Sequence, residues 1–244
     1  DVEGGVRIAR EVQEKARPGI DDEALFEGHR TLAAAMARQG DAAAANAELR
    51  AALSLRPSDE AVAEELGRRL IEARKPEEAL EAMRPAREAG RSGSSFLLTY
   101  AKAALAAEKA DVAQAALLEG TERHPQNPAF WILRGTNAFE ARKYQSAQAA
   151  FEAALKIDSG NVDAWNGLAQ TLFSQGKMQD AAIRLKEALE ATRGNPLVLL
   201  TLAQVYEEQG HLTEAEDALR MAVARDPANA TARQRLGMIL VSQK

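Results

Sequence analysis

Three histidines, His29, His124 and His211, are the residues of this chain best suited to proton transfer near neutral pH or to metal ligation. A metal site on a helix asks for a second His or Cys about one turn away, and none of the three has such a neighbour. His124 precedes Pro125 in a loop and His211 follows Gly210, so both are expected in solvent; His29 is expected half-buried, as a packing group. The carboxylate pairs Glu64–Glu65, Glu77–Glu78 and Glu207–Glu208 are adjacent in sequence. Helix neighbours diverge by about 100°, so such pairs do not face one substrate and read as solvated surface. The sequence contains no cysteine, which excludes thiolate chemistry and a disulfide framework. It also lacks the phosphate-cradling GxxxxGK[ST], the dinucleotide GxGxxG and the GxSxG elbow. Asn229-Ala230-Thr231 fits the glycosylation triplet, a short pattern that is common by chance. No catalytic, cofactor-binding or metal-binding residue is assigned, and the chain reads as non-catalytic.

What the chain does carry is a period of 34 residues. Counted from Phe26, repeats begin at Glu60, Ser94, Pro128, Val162, Pro196 and Ala230. Position 8 is then small in every repeat: Ala33, Gly67, Ala101, Gly135, Ala169, Ala203 and Gly237. Position 20 is Ala45, Ala79, Ala113, Ala147, Ala181 and Ala215; position 27 is Ala52, Ala86, Gly120, Ala154, Ala188 and Ala222. Between them run larger apolar residues at helical spacing, such as Leu49, Met83, Leu117, Phe151, Leu185 and Leu219 at position 24. Gly40, Gly176 and Gly210 fall at position 15, where a helix needs a residue able to take positive φ. Acids at position 19 (Glu78, Asp180, Glu214) suit the positive end of a second helix. Pro57, Pro125 and Pro227 at position 32 close that helix. Each repeat therefore reads as helix, tight turn, helix, loop, with small residues where helices must approach closely.

This pattern resembles the tetratricopeptide repeat. The resemblance is clearest in Trp165, Leu168, Ala169, Ala181, Leu185 and Ala188, and in Leu202, Ala203, Tyr206, Ala215, Leu219, Ala222 and Pro227. It departs locally: Arg134 stands where Leu is usual, and Arg74, Glu108 and Arg142 replace the turn glycine. The family implies an all-α, right-handed α-solenoid of helix-turn-helix repeats. Six repeats are expected at 26–59, 60–93, 94–127, 128–161, 162–195 and 196–229, read as one continuous domain. A half-repeat or capping helix follows at 230–244. Residues 1–25 are expected to hold a helix over 5–17, part of a preceding repeat or a cap, broken by Arg17-Pro18-Gly19.

In this family the first helices of successive repeats line a concave face through positions 2, 5, 9, 12 and 13. Mapped here, the first two repeats present mixed charge (Glu27, Arg30, Arg38, Glu64, Arg68, Glu72). The middle repeats present Leu98, Lys102, Leu105, Ile132, Thr136, Phe139, Asn166, Gln170 and Phe173, and the sixth adds Leu200, Gln204, Glu207 and Glu208. Contiguous apolar surface exposed on this face would mark a binding site. Amides pair with both donors and acceptors of a peptide backbone. The site expected for a peptide therefore comprises Leu98, Lys102, Leu105, Ile132, Thr136, Phe139, Asn166, Gln170, Phe173, Leu200 and Gln204. The alternative is that Phe139 and Phe173 only shield neighbouring helices. The Lys and Asn pattern of co-chaperone members that clamp a carboxylate is absent from any three consecutive repeats.

Composition bounds the rest. A net charge of −5 argues against nucleic acid, which wants a concentrated basic surface. No apolar run approaches the roughly 18 residues of a membrane span. The absence of cysteine fits cytoplasm and periplasm alike, and the Ala- and Arg-rich style resembles bacterial arrays. The leading expectation is a scaffold that binds a protein or peptide segment in its groove, without cofactor. Alternatives are a self-assembling array, through Met238, Leu240 and Val241 on the last helix, and an accessory subunit of a bacterial envelope, export or polysaccharide-secretion complex.

Overall fold

A computed structural model describes residues 2–16, 21–90 and 92–242. Among these the fold is all-α. The helices are α1 (Val2–Lys15), α2 (Asp22–Arg38), α3 (Ala42–Leu55), α4 (Glu60–Glu72), α5 (Pro76–Glu88), α6 (Ser94–Ala106) and α7 (Ala110–Arg123). They continue as α8 (Pro128–Glu140), α9 (Tyr144–Ile157), α10 (Val162–Ser174), α11 (Met178–Ala191), α12 (Pro196–Glu208), α13 (Leu212–Arg225) and α14 (Ala230–Ser242). From α4 onward every first helix spans positions 1 to 13 of the 34-residue period, and every second helix begins at position 17. The chain forms two compact units, Asp1–Gly120 and Thr121–Lys244. In the first, α1 packs on α2, α2 pairs with α3, α4 with α5, and α4 neighbours α6. In the second, α8 pairs with α9, α10 with α11 and α12 with α13, while α10 packs against both α8 and α12.

The boundaries have local causes. First helices are capped by Asx side chains at position 34. Asp59, Asn127, Asn161, Asn195 and Asn229 accept backbone N–H bonds from Val62, Ala129, Ala164, Leu197 and Ala232 at 2.9–3.0 Å. The Asn229 side chain that opens the glycosylation-like triplet is thus a helix cap. Gly93 breaks this pattern, its own N–H donating to Glu60 Oε1 at 2.6 Å.

The turns close by the Schellman bond pattern. Lys177 N donates to Leu172 O at 2.9 Å and Gly176 N to Phe173 O at 2.8 Å, with Gly176 at φ 76°. Arg74, Glu108 and Arg142 adopt the same left-handed geometry at φ 58°, 56° and 56° without being glycine. The turns lacking glycine therefore form, at the steric cost of a Cβ in that region.

Small residues sit where helices touch. Ala45, Ala79, Ala113, Ala147, Ala181 and Ala215 have no exposure at all. A Cβ on Gly67 would collide with the Met83 side chain, and one on Gly135 would stand 2.7 Å from the Phe151 ring. Phe151 is also the obstacle to a Cβ on Gly167, so its ring is wedged between glycines of α8 and α10. Gly237 differs from its equivalents, being exposed with open space about it.

One local expectation is corrected and two details are added. The first helix covers Val2–Lys15 rather than 5–17; the Arg17-Pro18-Gly19 break lies outside the described residues. The second helix starts at Asp22, one turn before its equivalents, with acids Asp22 and Glu23 in its first turn. Arg134, in the place of the usual Leu, is half-buried: its guanidinium lies 5.0 Å from the Trp131 ring and donates to Thr121 Oγ1 at 3.1 Å.

Candidate functional site

The first helices of the C-terminal unit enclose a hollow of about 220 Å³, lined by Phe139 of α8, Ala169, Gln170, Phe173 and Ser174 of α10, and Thr201, Gln204 and Val205 of α12. Its placement follows from the repeat. Positions 8, 9, 12 and 13 of α10 share a face, and small Ala169 lets the neighbouring helices close in at the floor. Phe139 and Phe173 form the walls. Both are half-buried and pack on the core that holds Trp165, Leu168 and Leu172, and the Phe139 ring lies 5.8 Å from that of Tyr144. Gln170 and Gln204, one repeat apart, are both exposed.

Of the residues expected from sequence, Phe139, Gln170, Phe173 and Gln204 meet in this hollow, whereas Ile132, Thr136, Asn166 and Leu200 lie outside its lining. Leu98, Lys102 and Leu105 belong to α6 of the N-terminal unit. The apolar members are less open than expected: Leu98, Leu105, Ile132, Phe139, Phe173 and Leu200 are all half-buried, and all but Leu98 also pack on a buried core cluster. Asn166 is engaged within the fold, with Thr201 Oγ1 2.9 Å from its Oδ1. Ser174 and Thr201, which add hydroxyls to the hollow, were not singled out from sequence; position 13 in the α10 repeat was the available signal for Ser174.

The N-terminal unit carries charge instead. A hollow of about 230 Å³ lies among Arg30, Ala33, Ala34, Leu49, Ala61, Val62, Glu65 and Arg69. Burial pushes the Glu65 carboxyl up, but hydrogen bonds from Arg68 and Arg69 (both 2.7 Å), together with their charges, outweigh this and hold it below the ordinary carboxylate range. Glu65 is therefore a clamped partner of two arginines and not a solvated acid. Glu207 likewise pairs with Arg235 at 2.8 Å.

The histidines do not converge. His29 is half-buried with Nδ1 2.7 Å from Glu48 Oε2 and 2.9 Å from Gln13 Nε2, tying α1, α2 and α3 together. His211 is exposed. His124, expected in solvent, is half-buried with its Nε2 shielded and its ring stacked 6.0 Å from that of Phe130. Among the described residues no group of three His, Asp or Glu side chains could hold a metal, and no helix is long and apolar enough to cross a membrane.

Comparison with known proteins agrees with the architecture. A tetratricopeptide repeat model matches residues 64–128, 98–136 and 132–196, and a second matches 172–239, together well over half of the chain. No curated protein sequence matches. Among solved structures, the Pseudomonas aeruginosa pilF protein is similar with a TM-score of 0.64 and 16% identity, over 89% of this chain and 99% of that one. YrrB, described as a tetratricopeptide repeat protein with an unusual peptide-binding site, is similar with a TM-score of 0.60 and 17% identity, over 79% and 95%. A thermophilic protein of Thermus thermophilus with the same repeat gives 0.57 and 18%, over 75% and 99%. At these identities the likeness speaks for the fold, an α-solenoid of helix-turn-helix repeats.

Proposed function

The chain belongs to the tetratricopeptide repeat family, generally a non-catalytic protein-interaction scaffold, and from that premise we propose that its C-terminal unit binds a peptide segment in the hollow between Phe139 and Phe173. The observation that carries this reading is one cavity that combines two aromatic walls with two exposed amides. An apolar side chain entering it displaces water from Phe139 and Phe173, worth about 25 cal/mol per Å² of apolar surface covered. The Gln170 and Gln204 amides, each both donor and acceptor, then pair with the backbone of the bound segment. The half-burial of both rings suits this role, since walls already held by the core lose little rotamer freedom on binding. The unusual peptide-binding site of YrrB, which shares this fold, supports the same reading.

The test is a random-peptide phage selection on the folded wild type, followed by fluorescence anisotropy of a selected peptide. Affinity is expected to fall at least tenfold in the double variant Phe139→Ala, Gln170→Ala. Equal affinity for wild type and a folded double variant removes the hollow from consideration.

A second reading, self-assembly through the last helix, is favoured by Met238 and Val241, which are 65% and 73% exposed. Light scattering over a concentration series distinguishes it: mass that rises with concentration, and stays flat for Met238→Ser, Val241→Ser, identifies that face as the contact.

A further inference from the structure

The hollow itself contains no charged side chain, yet acids flank it. Glu140, Ser174 and Glu208 are the last residues of α8, α10 and α12, at the same position of three successive repeats. Ser174 lines the hollow, and α8 and α12, which also contribute to its lining, both pack on α10, so Glu140 and Glu208 end the two helices that neighbour Ser174. Both are exposed. Their equivalent Glu72 in α4 is paired with Arg68 at 2.8 Å, whereas Glu140 and Glu208 have no ion pair among the described residues. Arg142 and Lys143 follow Glu140 in its turn without pairing with it.

The placement is locally unfavourable. A carboxylate at the end of a helix faces the negative pole of the macrodipole, a cost that a cation brought from outside relieves. The remaining charges of these three helices point the same way. Asp163 is a further acid, Glu207 is already paired with Arg235, and the one base, Arg134, has its guanidinium turned to Trp131 and Thr121.

We propose that the segment bound in this hollow is basic: one uncharged apolar residue seated between Phe139 and Phe173, with lysine or arginine about three residues to either side, facing Glu140 and Glu208. This rests on the peptide-binding reading above and adds the chemistry of the peptide. The anchor is uncharged because no lining group would compensate a desolvated charge. The spacing follows from geometry: packed helices lie roughly 8–10 Å apart, and an extended chain advances about 3.3 Å per residue. The acidic rim raises the encounter rate of such a peptide and disfavours acidic competitors.

The experiment is a parallel selection of a random-peptide phage library on wild type, on Glu140→Gln, Glu208→Gln, and on Phe139→Ala, Gln170→Ala, each checked for helix content. Wild type is expected to enrich an apolar residue with Lys or Arg near the third position on both sides. The Gln pair is expected to keep the apolar enrichment and lose the basic one. A peptide selected on wild type should bind the Gln pair about fivefold more weakly at low salt, as two exposed ion pairs would give, with the gap closing at high salt. Peptides that need Phe139 and Gln170 but show neutral or acidic flanks overturn the charge preference and leave the hollow standing. Peptides indifferent to Phe139 and Gln170 overturn both.

Discussion

The Phe151 ring of α9 occupies the space that a Cβ on Gly167 of α10 would need, so one hydrogen atom on α10 decides how closely the two helices pack. Gly135 on α8 makes room for the same ring, and Phe151 is 2% exposed. Gly167→Ala is expected to cost about 1–3 kcal/mol by overpacking, and Phe151→Ala about 3–5 kcal/mol by cavity formation. Chemical denaturation of these two variants, of Phe151→Leu and of the double variant Gly167→Ala, Phe151→Leu measures this. The smaller side chain should recover part of the loss, and strict additivity would argue against direct contact.

Ala147, with no exposed surface, is one of the position-20 alanines on which neighbouring helices close. Ala147→Leu is expected to lower stability by about 1–3 kcal/mol. A thermal melt unchanged from wild type would show that the register assigned to these small residues is wrong.

Arg142 takes φ 56° at a turn where its equivalents Gly176 and Gly210 take 76° and 75°. Arg142→Gly is expected to stabilise by about 0.5–1 kcal/mol, since the left-handed region costs a residue with a Cβ about 1–2 kcal/mol and glycine gives back part of this as chain entropy. The reverse change, Gly176→Ala, is expected to destabilise by about 1 kcal/mol. Urea midpoints of the two variants should move in opposite directions.

Glu65 gives an acid dependence of known sign. Its folded-state pKa is held below the ordinary value of 4.5, so its contribution is complete above pH 4.5 and is lost as pH falls through the lower folded value. Urea unfolding at neutral pH and near pH 3 should show wild type losing more stability than Glu65→Gln over that interval. Parallel losses would mean that the clamp by Arg68 and Arg69 does not persist in solution.

Much of the fold was legible because the period constrains many positions at once. Ala169, Ala181 and Ala188 are small where helices touch, and Gly176 and Pro227 mark a turn and a helix end, so errors at one position are corrected at the next. The non-glycine turns were harder: nothing local in Arg74, Glu108 or Arg142 signals positive φ, and the packed helices on either side impose it. Gly167 was not singled out either, since its role depends on where the Phe151 ring falls. His124 shows the same limit, its shielding coming from Phe130 and the surrounding fold rather than from Pro125 beside it.

For the candidate site, helical pitch and the 34-residue period in the sequence by itself determined which side chains share one face of α8, α10 and α12, and the tetratricopeptide resemblance marked that face as the inner one. Tertiary structure alone decided which of them surround a common space. Phe139, Gln170, Phe173 and Gln204 line one hollow while Asn166 turns to Thr201, and those outcomes depend on separations between helices. Such separations are set by the volumes of side chains far apart in sequence meeting at close-packed density, a quantity no single repeat contains.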